Sequence, residues 1–346
     1  MRKVLILIFL MSFITIPVSA MEFTPPKVPE MGEHAMPDTY DTFAEGLWYV
    51  IRSALGKLQP SFASACTTCL SLIAVALLTN MVTGFSAGQD RTIRLVGTVM
   101  IGCLMLQQAD IFVHLSREVI TQLSDYGKLL LPVMAAAHAA QGGTTGAAAI
   151  YGGTLLFDSV LTTAISAILI PLVYIYMAIS VANSAFGNET IKELSAFIKW
   201  ITSWILKIIL YIFTGYISIT GVISGTTDAA AIKAAKLAIS SVVPMVGGIM
   251  SDASETILVS AGLMKNAVGI YGLLAIASVW IGPFLQIGVQ YLLLKATGAI
   301  CVVISGKDNS VLVRDFSVSM GFLLAMTGAV CVMLLISIVC FMKGVS

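Results

Sequence analysis

Six apolar segments recur along this chain, and each is long enough to cross a bilayer as a helix. They lie at 61–84, 93–112, 147–182, 201–224, 266–304 and 311–342. A hydrocarbon core about 30 Å thick needs about 20 apolar residues in helical form. The segments at 147–182 and 266–304 are long enough for two crossings, or for one crossing and a half-helix. We therefore predict an all-α polytopic membrane protein with about six to eight transmembrane helices, some of them broken or half-length.

The overall composition excludes a soluble globular protein. Hydrophobic residues make up 58% of the 346 residues and charged residues only 11%, and the mean hydropathy is +0.96. Soluble domains contain about 25% charged residues, so too little polar material remains here to cover a water-facing surface. The net charge of +1 and the lack of a basic run argue against nucleic acid as a partner. The predicted surroundings are a lipid bilayer.

Residues 1–20 have the features of a secretory signal peptide. Two basic residues precede an apolar run at 4–16, which Pro17 ends, and small residues lead to Ala20. Cleavage after Ala20 would place the mature N-terminus on the exported side. An uncleaved N-terminal anchor is the alternative.

Residues 21–60 differ in composition from the rest of the chain. They hold five of the ten prolines and six acidic against three basic residues, which predicts an extended exported arm as far as about Pro37. Across 38–58 the apolar residues recur at helical spacing. This helix is predicted to bury one stripe in the outer membrane interface, against a partner, or against the protein's own body. Trp48 and Tyr49 beside the stripe suit an interface.

Residues 61–346 form the predicted membrane domain, and its prolines indicate an internal duplication. Two pairs have the same spacing, Pro132 to Pro171 and Pro244 to Pro283. Each pair is followed by an apolar run, a polar loop and an amphipathic-to-spanning segment. The pattern predicts repeats at about 113–224 and 232–342, with chance spacing as the alternative. Repeats with interrupted helices are typical of permeases.

Shorter elements are predicted between the spanning segments. The apolar pieces at 129–140 and 237–250 are the length of half-helices, and 112–126 is amphipathic. The segment 191–207 is also amphipathic, and its lysines and tryptophans favour an interfacial helix.

The segment 244–269 is the predicted functional element. Pro244, Gly247 and Gly248 are expected to interrupt a helix at membrane depth, where irregular backbone is tolerated only if it is buried in protein or lines water. Polar residues follow in otherwise apolar surroundings, namely Asp252, Glu255, Lys265 and Asn266. They are predicted to line a polar path or to form an ion-paired gate. Asp252 followed by Glu255 is also a capping-box pattern, which would only start the next helix.

Two further charges lie inside long apolar segments and are second candidates for a polar lining. They are Asp158 and Lys295. An internal ion pair or snorkelling to the interface are the alternatives for Lys295.

The remaining reactive residues give weak signals. Cys66 and Cys69 have the spacing of a dithiol, but no cation lies near them in sequence, and packing explains all six cysteines more simply. The three histidines form no ligand cluster, and no phosphate-binding motif is present. We therefore predict no metal, no cofactor and no enzymatic activity, and expect any energy source to be another chain or a gradient.

One block of residues resembles a known family. It runs from Lys236-Leu237-Ala238 through Pro244, Val246-Gly247-Gly248 and Ser251-Asp252-Ala253 to Leu263, Lys265-Asn266-Ala267 and Gly269. This block resembles the stage III sporulation protein AE family of endospore-forming bacteria. The wider layout of signal peptide, short exported region and polytopic body is similar to that family over essentially the whole chain.

The resemblance implies a function that composition does not reveal. Members of that family belong to a multiprotein complex of stage III A proteins in the mother-cell membrane around the engulfed forespore. The complex is similar in parts to secretion systems, includes a secretion-type ATPase, and pairs with a forespore membrane protein across the intermembrane space. The resemblance thus implies a permease-like subunit of a channel that supports the forespore, and it carries over no catalytic residue.

Three other functions stay open at this point. An independent secondary transporter could use the 244–269 segment for an ion or solute. A scaffold would only anchor other subunits. A membrane thiol enzyme would depend on Cys66 and Cys69.

Overall fold

The computed structural model describes residues 25–39, 42–85, 90–140, 145–242, 247–305 and 307–343. At 138–140, 145–151, 217–242 and 247–266, and at a few helix ends, the description covers the backbone only. The regular secondary structure in these ranges is entirely helical, as predicted.

Two short helices precede a set of long ones. In chain order they are α1 Glu30–Glu33, α2 Phe43–Gly56, α3 Leu58–Phe85, α4 Asp90–Ala140, α5 Thr145–Ala164, a π-helical turn Ile165–Leu169, α6 Ile170–Phe186, α7 Glu189–Val242, α8 Gly247–Ser305 and α9 Lys307–Lys343.

Six helical segments in the described part of the chain are long and apolar enough to cross a membrane. They are Leu58–Phe85, Arg91–Ala137, Gly152–Phe186, Glu189–Tyr216, Ala267–Ile304 and Asn309–Val339. The predicted membrane class is confirmed, and the number agrees with the lower end of the predicted range.

Several segments that the sequence analysis separated are continuous helices. The pieces at 93–112, 112–126 and 129–140 all belong to α4, which has 51 residues. Pro132 lies inside α4 on an exposed face, while Leu130, Leu131 and Met134 beside it are buried. This packing holds the helix together through the proline, so 129–140 is not a separate half-helix.

Three further predictions also correspond to continuous helical structure. The amphipathic segment 191–207 and the spanning segment 201–224 form one helix, α7. The segment 266–304, long enough for two crossings, lies within α8. The segment 147–182 runs through α5 and α6, which the π-helical turn joins end to end.

The π-helical turn is the interruption that the structure shows at a proline. Ile170 N–H donates to the carbonyl of Ile165, five residues earlier, and Pro171 follows at once. Because proline lacks an N–H group and its ring needs space, a wider turn accommodates it. Pro283, its predicted equivalent, lies buried inside α8 without such a turn. The duplication stays a prediction.

Helices α8 and α9 form the centre of the bundle. More than half of the residues in their most apolar stretches are buried, against less than a third in α3 and α7. Burial of this kind favours interhelical packing over lipid contact, and glycine supports the close approach. At Gly127 of α4, an added Cβ would lie 2.7 Å from Leu334 Cδ2 of α9.

Hydrogen bonds between helices fix their relative directions. Thr98 Oγ1 donates to Asn309 Oδ1 at 2.9 Å, which joins the beginnings of α4 and α9. Asn80 Nδ2 donates to the carbonyl of Ile304 at 2.7 Å, which joins the ends of α3 and α8. These helix ends lie together at one end of the bundle, which also carries the α6–α7 connection at Gly187. We call it the Gly187 end.

The N-terminal arm packs on the bundle. Thr42 Oγ1 caps α2 by accepting from Glu45 N–H at 3.3 Å. The buried residues Gly46, Val50 and Ala54 recur every four positions, and α2 contacts α8. Of the three alternatives for this helix, packing on the protein's own body is the one observed. Trp48 and Tyr49 remain exposed on the other side.

Candidate functional site

The predicted broken-helix element is only partly described. Helix α7 ends at Val242 and α8 begins at Gly247, and Pro244 lies outside the described residues. Gly247, Gly248 and the polar residues after them lie in the first part of α8, where the description covers the backbone only. The polar lining by Asp252, Glu255, Lys265 and Asn266 therefore stays a prediction.

Asp158 is a buried carboxyl group between α5 and α9. Its residue is 5% exposed, and Ser337 Oγ donates to its Oδ2 at 3.1 Å. Its Oδ1 is buried without a hydrogen-bond partner among the described residues. Lys128 lines the same small space, of about 10 Å³, but its Nζ lies 2.8 Å from Asp125 Oδ1. Ionisable groups at such positions are rare and mark functional sites by default.

Lys295 lies on the outside of the bundle. It is exposed, its Nζ donates to Tyr291 Oη at 3.2 Å, and it lies 5.4 Å from the centre of that ring. This cation–π contact on the surface agrees with snorkelling rather than with a polar path inside the protein.

Cys66 and Cys69 lie on α3 as free thiols. Cys69, Cys301 and Cys331 are all buried in the hydrophobic core, which is the position of packing residues. In the part of the chain that the structure describes, no group of three His, Cys, Asp or Glu side chains could hold a metal.

The sequence analysis did not identify one polar surface of the bundle as a functional site. One face of α4 exposes polar side chains at helical spacing, and we call it the α4 polar face. Its members are Gln107, Asp110, His114, Arg117, Glu118, Thr121, Asp125 and Lys128; Gln107 to Lys128 spans about 32 Å at 1.5 Å per residue. The amphipathic pattern at 112–126 was its signal in the sequence.

Several groups on the α4 polar face already have partners. Asp110 Oδ1 accepts from Tyr174 Oη at 2.6 Å and lies 3.8 Å from His114 Nε2. Gln122, at the edge of the face, donates from Nε2 to Glu118 Oε1 at 3.3 Å. Gln122 Oε1 also accepts from Met31 N–H at 3.1 Å, so the N-terminal arm reaches this edge.

Two contacts fix the depth of this face relative to α5 and α6. The Asp110–Tyr174 hydrogen bond joins one end of the face to α6. Near the other end, Lys128 and Asp158 line the same small space. The segment 110–128 of α4 therefore lies beside 158–174 of the antiparallel α5 and α6.

At that depth the outer surface of α5 and α6 is apolar. Four large side chains are exposed along it, namely Leu156, Val160, Ile168 and Ile175. We call this the α5–α6 apolar face. It is the kind of surface that lipid or an apolar partner covers.

Helix α7 presents an aromatic surface between the Gly187 end and the middle of the bundle. Thr154 and Tyr216 lie within hydrogen-bond distance, 3.1 Å, and tie α7 to α5. Between that tie and the Gly187 end, Phe197, Trp200 and Trp204 are exposed and stacked on one another.

One surrounding medium cannot suit both kinds of surface. The α4 polar face carries five charged residues. Arg117 and Glu118 lie near its middle, and contact with lipid at the centre of a bilayer would cost about 2.5–3.5 kcal/mol for each charge there. Water around the whole depth would instead expose the apolar and aromatic faces of α5, α6 and α7. The bundle therefore has a polar side and an apolar side, which need different surroundings.

Comparison with known proteins identifies the family to which the chain belongs. The family described as stage III sporulation protein AE matches residues 45–344. A curated relative of that name from Bacillus subtilis (strain 168) is 23% identical over 235 residues, 68% of this chain and 59% of the relative. The chain thus spans less than two thirds of that relative's length. No solved structure matches. Because the family match covers most of the chain, this membrane protein belongs to the stage III sporulation protein AE family.

Proposed function

We propose that this protein is a permease-like membrane subunit of a secretion-type channel complex that joins mother cell and forespore. It would support forespore development during endospore formation. Family membership supports the role in sporulation, and the surface chemistry of the bundle supports the role as a subunit.

The observation that carries the proposal is the depth match between the α4 polar face and the α5–α6 apolar face. In the proposed assembly the polar face lines a water-filled path, which other subunits close. The apolar faces of α5, α6 and α7 contact lipid or apolar partner helices. Arg117 and Glu118 are exposed, and no other part of the described chain covers them. A single bundle in lipid would therefore leave this polar face in contact with lipid.

The partners and the location are part of the same proposal. The partners would be the other stage III A proteins, including a secretion-type ATPase, and a forespore membrane protein across the intermembrane space. With the N-terminal arm exported and six crossings, the Gly187 end faces the mother-cell cytoplasm. Arg91 and Arg94 at that end agree with the positive-inside bias. We assign the protein no catalytic role.

The proposal is tested by replacing two charges of the α4 polar face. The double variant Arg117→Ala, Glu118→Ala keeps the net charge, and it is expressed in an endospore-forming host that lacks its own copy. We expect normal amounts in the membrane, but forespore gene expression reduced about tenfold or more, because two groups of the water-lined surface are lost.

A matched pair on the N-terminal arm provides the control. Lys27 Nζ lies 3.1 Å from Glu33 Oε1 on the exposed arm, and Lys27→Ala, Glu33→Ala also keeps the net charge. This variant should support normal forespore gene expression. Normal forespore gene expression with the α4 variant would contradict the water-lined path.

One observation favours a second candidate, a gradient-driven transporter. Asp158 is a buried carboxyl group without a cation within ion-pair distance among the described residues, as in proton-coupled carriers. Purified protein in liposomes tests it under an imposed proton gradient. Solute uptake without partner proteins, lost in Asp158→Asn, would support the transporter over the channel subunit.

A further inference from the structure

A polar cavity of about 460 Å³ opens at the Gly187 end of the bundle, between α6, α7 and α9. Its lining includes Tyr176, Ser184, Lys192, Lys199, Arg314 and Asp315. Five of the lining residues are charged, namely Glu189, Lys192, Lys199, Arg314 and Asp315.

The inner wall of the cavity is a hydrogen-bonded pair. Tyr176 is 1% exposed, and its Oη donates to Asp315 Oδ1 at 3.1 Å. The hydroxyl proton of Tyr176 is therefore already in a hydrogen bond, and Tyr176 Oη can only accept a further one. Ser184 lies about two turns further along α6, and its buried Oγ has no hydrogen-bond partner among the described residues. The wall thus offers one free hydroxyl donor to whatever enters.

The charges around the cavity leave positive charge in excess. Three cationic residues line it against two carboxylates, Glu189 and Asp315. Lys192 is committed to Glu189, with Nζ 3.0 Å from Oε2. Lys199 and Arg314 are exposed and flank Asp315, and neither forms an ion pair within the described ranges. Lys199 and Arg314 therefore have only the Asp315 carboxylate between them, and N–H groups of both side chains are available to bind an anion.

The backbone adds to this positive potential. The cavity is lined by Gly187, Asn188 and Glu189 at the beginning of α7, where the helix dipole is positive. Asn188 Oδ1 already accepts from Thr190 N–H at 2.9 Å, so the dipole rather than that N–H group is what the helix start offers. Such a helix start attracts anions. Here it acts together with two side-chain cations and a buried hydroxyl group.

The cavity lies where a bilayer surface would meet the bundle. The membrane-length segments Glu189–Tyr216 and Asn309–Val339 both begin beside it. Phe197, Trp200 and Trp204 form their exposed stack on the next turns of α7, and aromatic side chains of this kind favour the interfacial region. Basic pockets between helices at a membrane surface bind anionic lipid headgroups.

We propose that this cavity binds a phosphate-bearing anion. Lys199 and Arg314 contact the phosphate oxygens, Ser184 Oγ donates a hydrogen bond, and the beginning of α7 faces the same group. The source of the phosphate is an anionic lipid headgroup or free phosphate. The site does not depend on the assembly proposed above, because all its residues belong to one chain.

The test measures thermal unfolding of the purified full-length protein in a neutral detergent. Three compounds are titrated separately into this protein, namely dioleoylphosphatidylglycerol, inorganic phosphate and dioleoylphosphatidylcholine. We expect phosphatidylglycerol to raise the unfolding temperature saturably and phosphatidylcholine to leave it unchanged. An equal rise with inorganic phosphate alone would identify free phosphate as the source, whereas a rise with phosphatidylglycerol only would identify the lipid headgroup.

Two charge-matched double variants separate this site from general charge effects. Lys199→Gln, Arg314→Gln should weaken binding about tenfold or more, since one charge-assisted hydrogen bond contributes roughly that factor. Lys207→Gln, Lys295→Gln removes the same charge from exposed positions outside the cavity and should bind like the unmodified protein. Ser184→Ala is a third variant that leaves the charges in place, and it should also weaken binding. The proposal is overturned if all three bind equally, or if phosphatidylcholine gives the same rise.

Discussion

Tyr174 on α6 donates a hydrogen bond to Asp110 on α4, with 2.6 Å between Tyr174 Oη and Asp110 Oδ1. This bond joins a charged side chain on a polar helix face to a residue flanked by apolar exposed neighbours such as Ile175. It marks the boundary between the two kinds of surface. The short distance is typical of a hydroxyl donating to a carboxylate.

Removing this hydroxyl should cost little stability. Asp110 has 56% of its side chain exposed, so water replaces the lost bond in Tyr174→Phe, and we expect a loss below about 1 kcal/mol. Tyr176→Phe provides the matched contrast, because Tyr176 is 1% exposed and Asp315 loses a buried donor; about 1–3 kcal/mol is expected. Denaturant titration in detergent measures both, and an equal loss would show that the two bonds have the same surroundings.

The contact between α2 and α8 depends on Gly46. An added Cβ at Gly46 would lie 2.7 Å from Leu274 Cδ1, so Gly46→Leu should overpack this contact and cost about 1–3 kcal/mol. The N-terminal arm should then be cut faster in limited proteolysis. Gly56→Ala, on the same helix with nothing within 4 Å of the added Cβ, should be neutral or slightly stabilising. Similar proteolysis of both variants would contradict the observed packing of α2.

Asp158 should tolerate loss of its charge better than loss of the hydrogen bond that it accepts from Ser337. In Asp158→Asn, the amide oxygen can still accept from Ser337 Oγ, and no buried charge needs solvation, so we expect unchanged or higher stability. Ser337→Ala removes the hydrogen bond that Asp158 Oδ2 accepts and should cost about 1 kcal/mol. Thermal unfolding of the purified variants measures this. A marked loss in Asp158→Asn would indicate a cationic partner for the carboxylate.

The sequence predicted the helices better than it predicted their surroundings. The apolar segments became membrane-length helices, and the periodicity at 38–58 located α2, because both signals are local. Continuity through Pro132 was missed, since it depends on how Leu131 and Met134 pack against other helices. The amphipathic pattern at 112–126 was visible in the sequence. The position of this segment along the bundle, beside the apolar parts of α5 and α6, was not.

The relative depth of the helix faces and the shape of the cavities depend on contacts between residues that are far apart in sequence. Asp110 and Tyr174 are 64 positions apart, and Tyr176 and Asp315 are 139 apart. A single sequence gives no information on such pairs, so neither the contrast between the α4 polar face and the α5–α6 apolar face nor the cavity at the Gly187 end was predicted. The charges of the 244–269 segment were visible in the sequence because they interrupt an apolar run.

The most direct test of the account is aqueous access to single cysteines at matched depths. In a cysteine-free background that still supports sporulation, Glu118→Cys on the α4 polar face is compared with Ile168→Cys on the α5–α6 apolar face. Both positions lie about midway between the Asp110–Tyr174 bond and the space shared by Lys128 and Asp158. A membrane-impermeant maleimide is applied from both sides of membranes that contain the assembled complex. We predict that Glu118→Cys reacts at least about tenfold faster than Ile168→Cys. Equal rates at the two positions, or no reaction at Glu118→Cys, would contradict a hydrated side of the bundle.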